Sequence, residues 1–266
     1  MHKLIPFGVA GAVVALAALA GGYQIGKSTK SDAQAQNASM STSPELGESI
    51  RNYLMENPEL IADMQAALED KQREEQRVAS LDIIRNDSAD IFHAPTDAVV
   101  GNPQGKTTIV EFYDYNCGFC RHAIEDMKAL TSADPDLRFV LKELPILGLD
   151  SQKAHIVSQA FHRLMPEKYA EFHNRMLSSG SGRATEESAI LVATSLGADE
   201  AALRAEMKNP EVIGVLQKNF ELANRLQITG TPSYVIGDEV VFGALGQQVL
   251  GEKIATARAQ CQTAAC

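Results

Sequence analysis

No tryptophan occurs in the 266-residue chain, which removes the largest apolar side chain as a core anchor. Basic residues are outnumbered: 24 Lys and Arg stand against 34 Asp and Glu, a formal charge of −10. General nucleic-acid binding needs a basic footprint and is excluded on that ground. No long acidic run accounts for the excess, so the charge is spread over solvated helix faces and serves solubility. No cluster of Met and His accompanies the cysteines, which leaves a soft-metal cargo site with thin support. Internal repeats are absent apart from two similar Pro-started helices described below. What remains is ordinary: 45% hydrophobic and 22% charged residues fit a globular protein of one or two domains.

Cysteine is scarce as well, and its placement is informative. The four form two close pairs, Cys117/Cys120 and Cys261/Cys266, far apart in the chain. That suits two separate dithiols better than a scaffold of long-range staples. The compartment bears on this. His2 and Lys3 precede an apolar stretch from Leu4 to Ala20, extended by Gly21, Gly22, Tyr23 and Ile25. A short charged start followed by an apolar run is an export signal. Ala18-Leu19-Ala20 and Ala33-Gln34-Ala35 both fit a small-x-small cleavage site. The run also approaches the roughly 20 residues that span a bilayer, so residues 1–25 read as a signal peptide or as an uncleaved anchor. Either one places the remainder outside the inner membrane, where cysteines are expected to pair.

Residues 26–43 are an aperiodic Ser/Thr/Ala/Gln/Asn linker. Ser43-Pro44-Glu45 and Asn57-Pro58-Glu59 then share one grammar, a capping side chain, Pro at the first helical position and an acid at the positive helix end. Leu46, Ile50, Tyr53 and Leu54 fall on one face of the first helix; Ile61, Met64 and Leu68 do so on the second. A charged stretch, 69–77, follows before apolar positions return at Val78, Leu81 and Ile84. Residues 44–90 read as a helical module, either a solvated connector or an oligomerisation stalk. The stalk is preferred because short helices need packing partners to persist.

Past Asp97 the pattern changes. Residues 107–113 and 137–143 read as buried strands, with a helix between them starting within Cys117–Cys120. The segment from about 151 to 226 is helical throughout, with starts at Ser151, Pro166, Thr185, Asp199 and Pro210 and a loop at Gly180-Ser181-Gly182. Residues 233–236 and 239–242 form a hairpin across Gly237-Asp238. A final helix, with Val249, Leu250 and Ile254 inward, leads to the tail. This is an α/β arrangement with a helical insertion.

Cys-x-x-Cys also occurs in metal sites, but a zinc site needs four ligands, normally from two such half-sites. Cys261 and Cys266 have wider spacing and stand at the C-terminal end, and no metal is expected. Cys117 instead lies at a strand-to-helix junction, where unpaired N–H groups and the helix dipole favour a thiolate. That makes Cys117 the exposed nucleophile and Cys120 the shielded thiol that resolves a mixed disulfide. No cofactor beyond this pair is required. Thr231-Pro232, leading into a strand, gains meaning from the distant dithiol. It reads as a cis-proline loop facing the cysteines and offering strand-like pairing to a peptide. For Cys261 and Cys266 a local structural disulfide is preferred over a second redox relay or a metal-binding pair.

The segment Glu111-Phe112-Tyr113-Asp114-Tyr115-Asn116-Cys117-Gly118-Phe119-Cys120 resembles the active-site segment of the DsbA-like thioredoxin-fold family, over roughly 97–260. Tyr53-Leu54-Met55-Glu56-Asn57-Pro58-Glu59 resembles the N-terminal module of the suppressor-of-copper-sensitivity C and Com1-like subgroup. The resemblance implies a thioredoxin fold with an inserted helical subdomain and a trimer built by the N-terminal helices. It also implies a disulfide isomerase acting on exported client proteins and recycled by a membrane redox partner. Thr before Pro232 resembles the isomerases of the superfamily rather than the strong oxidase. By the same resemblance Glu111 is the acid beneath the dithiol that accepts the proton of the buried cysteine; pairing with Lys142 is the plainer reading. His122 and Asp114 read as solvated, and His93, His155, His162 and His173 show no ligand spacing. An oxidase running the same chemistry in the other direction, and a periplasmic copper-sequestering protein, are the competing functions.

Overall fold

The computed structural model describes residues 43–178 and 182–260. The apolar segment 1–25, the linker up to Thr42, Gly180-Ser181 and the tail cysteines Cys261 and Cys266 lie outside the described residues. Two compact units divide after Leu68.

In the first unit, α1 spans Pro44–Glu56 and α2 begins at Leu60, running to Asn86. Ser43 caps α1 by accepting the Leu46 amide at 3.2 Å. The second expected cap differs: Asn57 closes α1, with both its backbone N–H and its side chain donating to the Tyr53 carbonyl, so α2 starts two residues beyond Pro58. The apolar face remains open. Leu46, Ile50, Tyr53 and Leu54, with Ile61, Met64 and Leu68, are between 42% and 69% exposed, and α1 has no buried residue.

The second unit is built on a five-stranded sheet. Its strands are β1 (Ala98–Gly101), β2 (Thr107–Tyr113), β3 (Leu137–Glu143), β4 (Ser233–Ile236) and β5 (Glu239–Phe242). They lie in the order β1-β3-β2-β4-β5; β2 and β3 are parallel and the other pairs antiparallel. Every residue of central β2 is buried, which explains its β-branched and aromatic run, interrupted by Glu111. The short edge strand β1 was not expected. Its partner Phe139–Leu141 stands some forty residues away, and four residues carry little periodicity of their own. Gly237 turns the β4–β5 hairpin with φ +56, and a Cβ there would meet Ala257 at 3.0 Å.

Alternation along the strands sorts the core into two faces. Ile109, Tyr113, Phe139, Leu141, Tyr234 and Ile236 face α4 (Gly118–Ala133), the insertion and α10 (Gly246–Gln260). Val110, Phe112, Val140 and Val235 face Ile84 at the end of α2, and Ile91 and Phe92 of α3 (Ser88–Phe92). Fully burying a side chain such as Ile84 contributes about 2 kcal/mol. Residues 44–90 are therefore not one module: the far end of α2 and all of α3 belong to the core of the second unit. Within α10, Leu250 and Ile254 are buried as expected, whereas Val249 is 38% exposed.

The insertion comprises α5 (Leu149–Leu164), a 3-10 turn (Pro166–Lys168), α6 (Tyr169–Leu177), α7 (Glu186–Ser195), α8 (Glu200–Glu206) and α9 (Pro210–Arg225). Thr185, Asp199 and Asn209 cap α7, α8 and α9 with their side chains. Among the described residues no helix is long and apolar enough to cross a membrane.

Candidate active site

Strand β2 ends at Tyr113, and three loop residues lead to Cys117, the N-cap of α4. Both Cys117 and Cys120 are free thiols. Cys117 is 7% exposed and Cys120 fully buried one turn further on. Across from them, the Thr231–Pro232 peptide bond is cis, and the Cys117 thiol donates to the Thr231 carbonyl at 3.0 Å. The two motifs, 114 residues apart, thus meet at one place. Phe119 between the cysteines is 68% exposed and forms an apolar rim beside the thiol.

The two sulfurs have opposite electrostatics. Cys117 is lowered to about 5, foremost by the hydrogen bond from Cys120, with further bonds from the Thr231 side chain and the Cys120 and Phe119 amides; burial works against this. Cys120 is pushed far up, first by burial and then by its bond to Cys117 and the charge of Glu111. One sulfur is prepared to attack and the other to hold its proton.

Glu111 is 2% exposed, on the same sheet face as its register partners Leu141 and Tyr234. Burial raises its carboxyl to about 8, assisted by the Cys117 and Asp126 charges. Its Oε2 has no hydrogen-bond partner. The Lys142 pairing does not form, because Lys142 is in register with Phe112 and points to the other face. There it is ion-paired with Asp97, and its Nζ donates to the Asp90 carbonyl at 2.5 Å.

His122 is exposed, its Nδ1 2.8 Å from the Gly118 carbonyl. Asp114 corrects the expectation of a solvated strand end. It is fully buried and accepts the Asn116 amide at 2.8 Å and the Leu147 amide at 2.9 Å, which shapes the loop before Cys117.

Sequence reasoning also missed a polar group beneath that loop. Glu143, at the end of β3, accepts hydrogen bonds from Ser158 at 2.7 Å, Tyr169 at 2.7 Å and His155 Nδ1 at 2.6 Å. Tyr113 and Tyr115 join through their hydroxyls. Asn116 spans Ser151 and Ala184 of the insertion. The 4,3 spacing of Ser151, His155 and Ser158 puts all three on one helix face, and that was the available signal. Among the described residues, no group of three or more metal-ligating side chains is placed to hold an ion.

Residues 108–255 match the model of the DSBA-like thioredoxin domain. The chain belongs to this family. The mixed sheet with its helical insertion is accordingly the thioredoxin fold of that family, as the sequence implied. Residues 45–75 match the copper resistance protein ScsC N-terminal domain. A thioredoxin-like oxidoreductase from Silicibacter pomeroyi is 37% identical with a TM-score of 0.62, covering 65% of this chain and 98% of its own. Salmonella enterica Typhimurium BcfH is 25% identical with a TM-score of 0.70, over 85% of this chain and 99% of its own. The thiol-disulfide exchange protein alpha-DsbA2 from Wolbachia pipientis is 28% identical with a TM-score of 0.62, over 68% and 96%. No curated protein matches the chain. Fold and family together make this a thiol–disulfide oxidoreductase of the DsbA-like kind.

Proposed function

We propose that the protein is a periplasmic disulfide isomerase and reductase of exported proteins, with Cys117 as the attacking sulfur and Cys120 as the resolving one. The observation that carries this is the 3.0 Å approach of the Cys117 sulfur, at the start of α4, to the Thr231 carbonyl. The nucleophile stands where an extended client segment can pair with the loop beside Pro232.

The Cys117 thiolate attacks one sulfur of a client disulfide, forming a mixed disulfide and releasing a client thiolate. In isomerisation, client thiolates rearrange among themselves until one displaces Cys117, and no net electrons move. In reduction, Cys120 attacks the Cys117 sulfur, a Cys117–Cys120 disulfide forms, and the client leaves with two electrons more. This second path needs a base for the Cys120 proton. Glu111 serves: mixed-disulfide formation removes the Cys117 charge that helps to keep its carboxyl protonated. Glu111 then ionises more readily and can accept the proton. A membrane redox partner would return the disulfide to the dithiol.

The open apolar face of α1 and the start of α2 suits further copies of this chain, in a trimer as the subgroup resemblance implies. Such an assembly would enclose a client and hinder contact with oxidase-recycling machinery. The test is reactivation of a scrambled-disulfide protein by a fragment starting near Ser41, with Cys117→Ala as control and the fragment's solution mass measured alongside. Cys117-dependent reactivation by a trimer is the expected result. Rapid oxidation of a reduced client without reactivation would assign the oxidase direction instead.

A further inference from the structure

The loop that presents Cys117 is gripped from the helical insertion, and one grip is made by an imidazole. The Tyr115 amide donates to His155 Nε2 at 3.2 Å. An N–H cannot donate to a protonated nitrogen, so Nε2 is bare and the ring proton sits on Nδ1. From there it is donated to Glu143 Oε2 at 2.6 Å. Glu143 cannot turn away, because Ser158 and Tyr169 hold its other oxygen. All four side chains belong to fully or almost fully buried residues. The acid selects the tautomer, and the tautomer makes Nε2 an acceptor.

What His155 holds lies two residues from the nucleophile. On the far side of the same residue, the Tyr115 carbonyl accepts from Arg121 Nη2 at 3.2 Å, in the first turn of α4. The next residue, Asn116, is fixed to Ser151 and Ala184. The Cys117 amide then closes the turn on the Asp114 carbonyl at 2.9 Å. The position of the Cys117 sulfur against the Phe119 and Cys120 amides, and against Thr231, is inherited from this loop. A loop free to pivot at Tyr115 would carry the sulfur off those partners.

We propose that His155, locked in one tautomer by Glu143, is a positioning residue for Cys117. Through the Tyr115 amide it fixes the loop that sets the thiol against the start of α4. This rests on Cys117 being the attacking thiol, as proposed above. A merely structural His155 would affect stability and leave the reactivity of Cys117 alone.

His155→Gln and His155→Asn separate the two roles in the full chain. Glutamine reaches the Nε2 position and can accept from Tyr115; asparagine reaches only the Nδ1 position and Glu143. Alkylation of reduced Cys117 by iodoacetamide, followed by peptide mass across pH 4 to 8, reads the thiolate without any client. Wild type comes first: a Cys117 that alkylates no faster than an ordinary thiol would remove the functional reading itself, whatever His155 does. With a reactive wild type, H155Q should stay within about twofold. H155N should alkylate about tenfold more slowly at pH 4, below the thiol pKa of about 5, the effect of one unit in that pKa. Equal rates in the two variants, whether fast or slow, would overturn the proposal. Should neither variant fold, 15N spectra of the wild-type histidine ring decide. The expected pattern is a protonated Nδ1 and a bare Nε2 whose signal moves when Cys117 is alkylated. A protonated Nε2, or a signal indifferent to alkylation, would overturn it.

Discussion

Glu111 and Glu143 occupy one face of one sheet, on neighbouring parallel strands, and both are at least 98% buried. Their surroundings could hardly differ more. Glu143 receives three hydrogen bonds from hydroxyl and imidazole donors, whereas Glu111 has an oxygen with no partner. A buried carboxyl group supplied with donors is fixed in place by them. One denied them is held near the point of protonation, with its carboxyl at about 8. The first organises the loop ahead of Cys117; the second lies within electrostatic reach of Cys117 and Cys120. The same residue type, two strand positions from alignment, is held by hydrogen bonds in one place and left with an unpartnered oxygen in the other.

Removing the satisfied acid should produce the largest effect. Glu143→Ala strands the donors of Ser158, Tyr169 and His155 inside the protein. Leaving such a set unpaired costs about 3 to 5 kcal/mol, which urea unfolding of the reduced protein will register. A loss below about 1 kcal/mol would mean that the network is not held by its acid.

Removing the unsatisfied acid should work in the opposite direction. Glu111 has an ordinary value of 4.5 when unfolded and about 8 when folded, so the native state keeps a proton that the unfolded chain releases. Stability linked to Glu111 is therefore intact below pH 4.5 and lost as pH rises toward 8. Glu111→Leu should stabilise the reduced protein by about 2 to 3 kcal/mol at pH 7 and by almost nothing at pH 4. Cys117, lowered to about 5, pulls the wild-type curve the other way by adding stability as pH rises. The difference between variant and wild type, rather than the wild-type curve, therefore reads Glu111. A difference independent of pH would show that Glu111 does not carry a shifted carboxyl.

The contrast between the two acids also marks where sequence reading succeeds and stops. Strands β2 and β3 were legible because strands buried on both faces are rich in β-branched, aromatic and aliphatic residues, and both are buried along almost their whole length. The helix starts at Thr185, Asp199 and Pro210 were legible because capping is local chemistry. Cys117, Cys120, Thr231 and Pro232 announced themselves as short motifs. Glu143 did not: an acid at the end of a strand is most simply read as solvated. Its donors come from α5 and α6, twelve to twenty-six residues away. Register settled the Lys142 question in the same way. A lysine one residue out of step with Glu111 lies on the wrong face, and a one-residue offset is invisible before pairing is known.

A milder change tests how the satisfied acid is built. Ser158→Ala removes one donor to Glu143 Oε1 and leaves Tyr169 on that oxygen and His155 on the other. The serine hydroxyl also bridges to Tyr115 at 2.9 Å, so the tyrosine must find a new partner, and the hydroxyls of Tyr113 at 3.2 Å and Tyr169 at 3.4 Å are within reach. With that replacement at hand, the loss should be about 1 kcal/mol, the ordinary net value of one buried hydrogen bond. Glu143 would still fix His155, and the alkylation rate of Cys117 should stay at the wild-type level. A loss comparable to that of Glu143→Ala would mean that the hydroxyl ring acts as a single cooperative unit. The acid would then be one member of that unit, not the centre that the others serve.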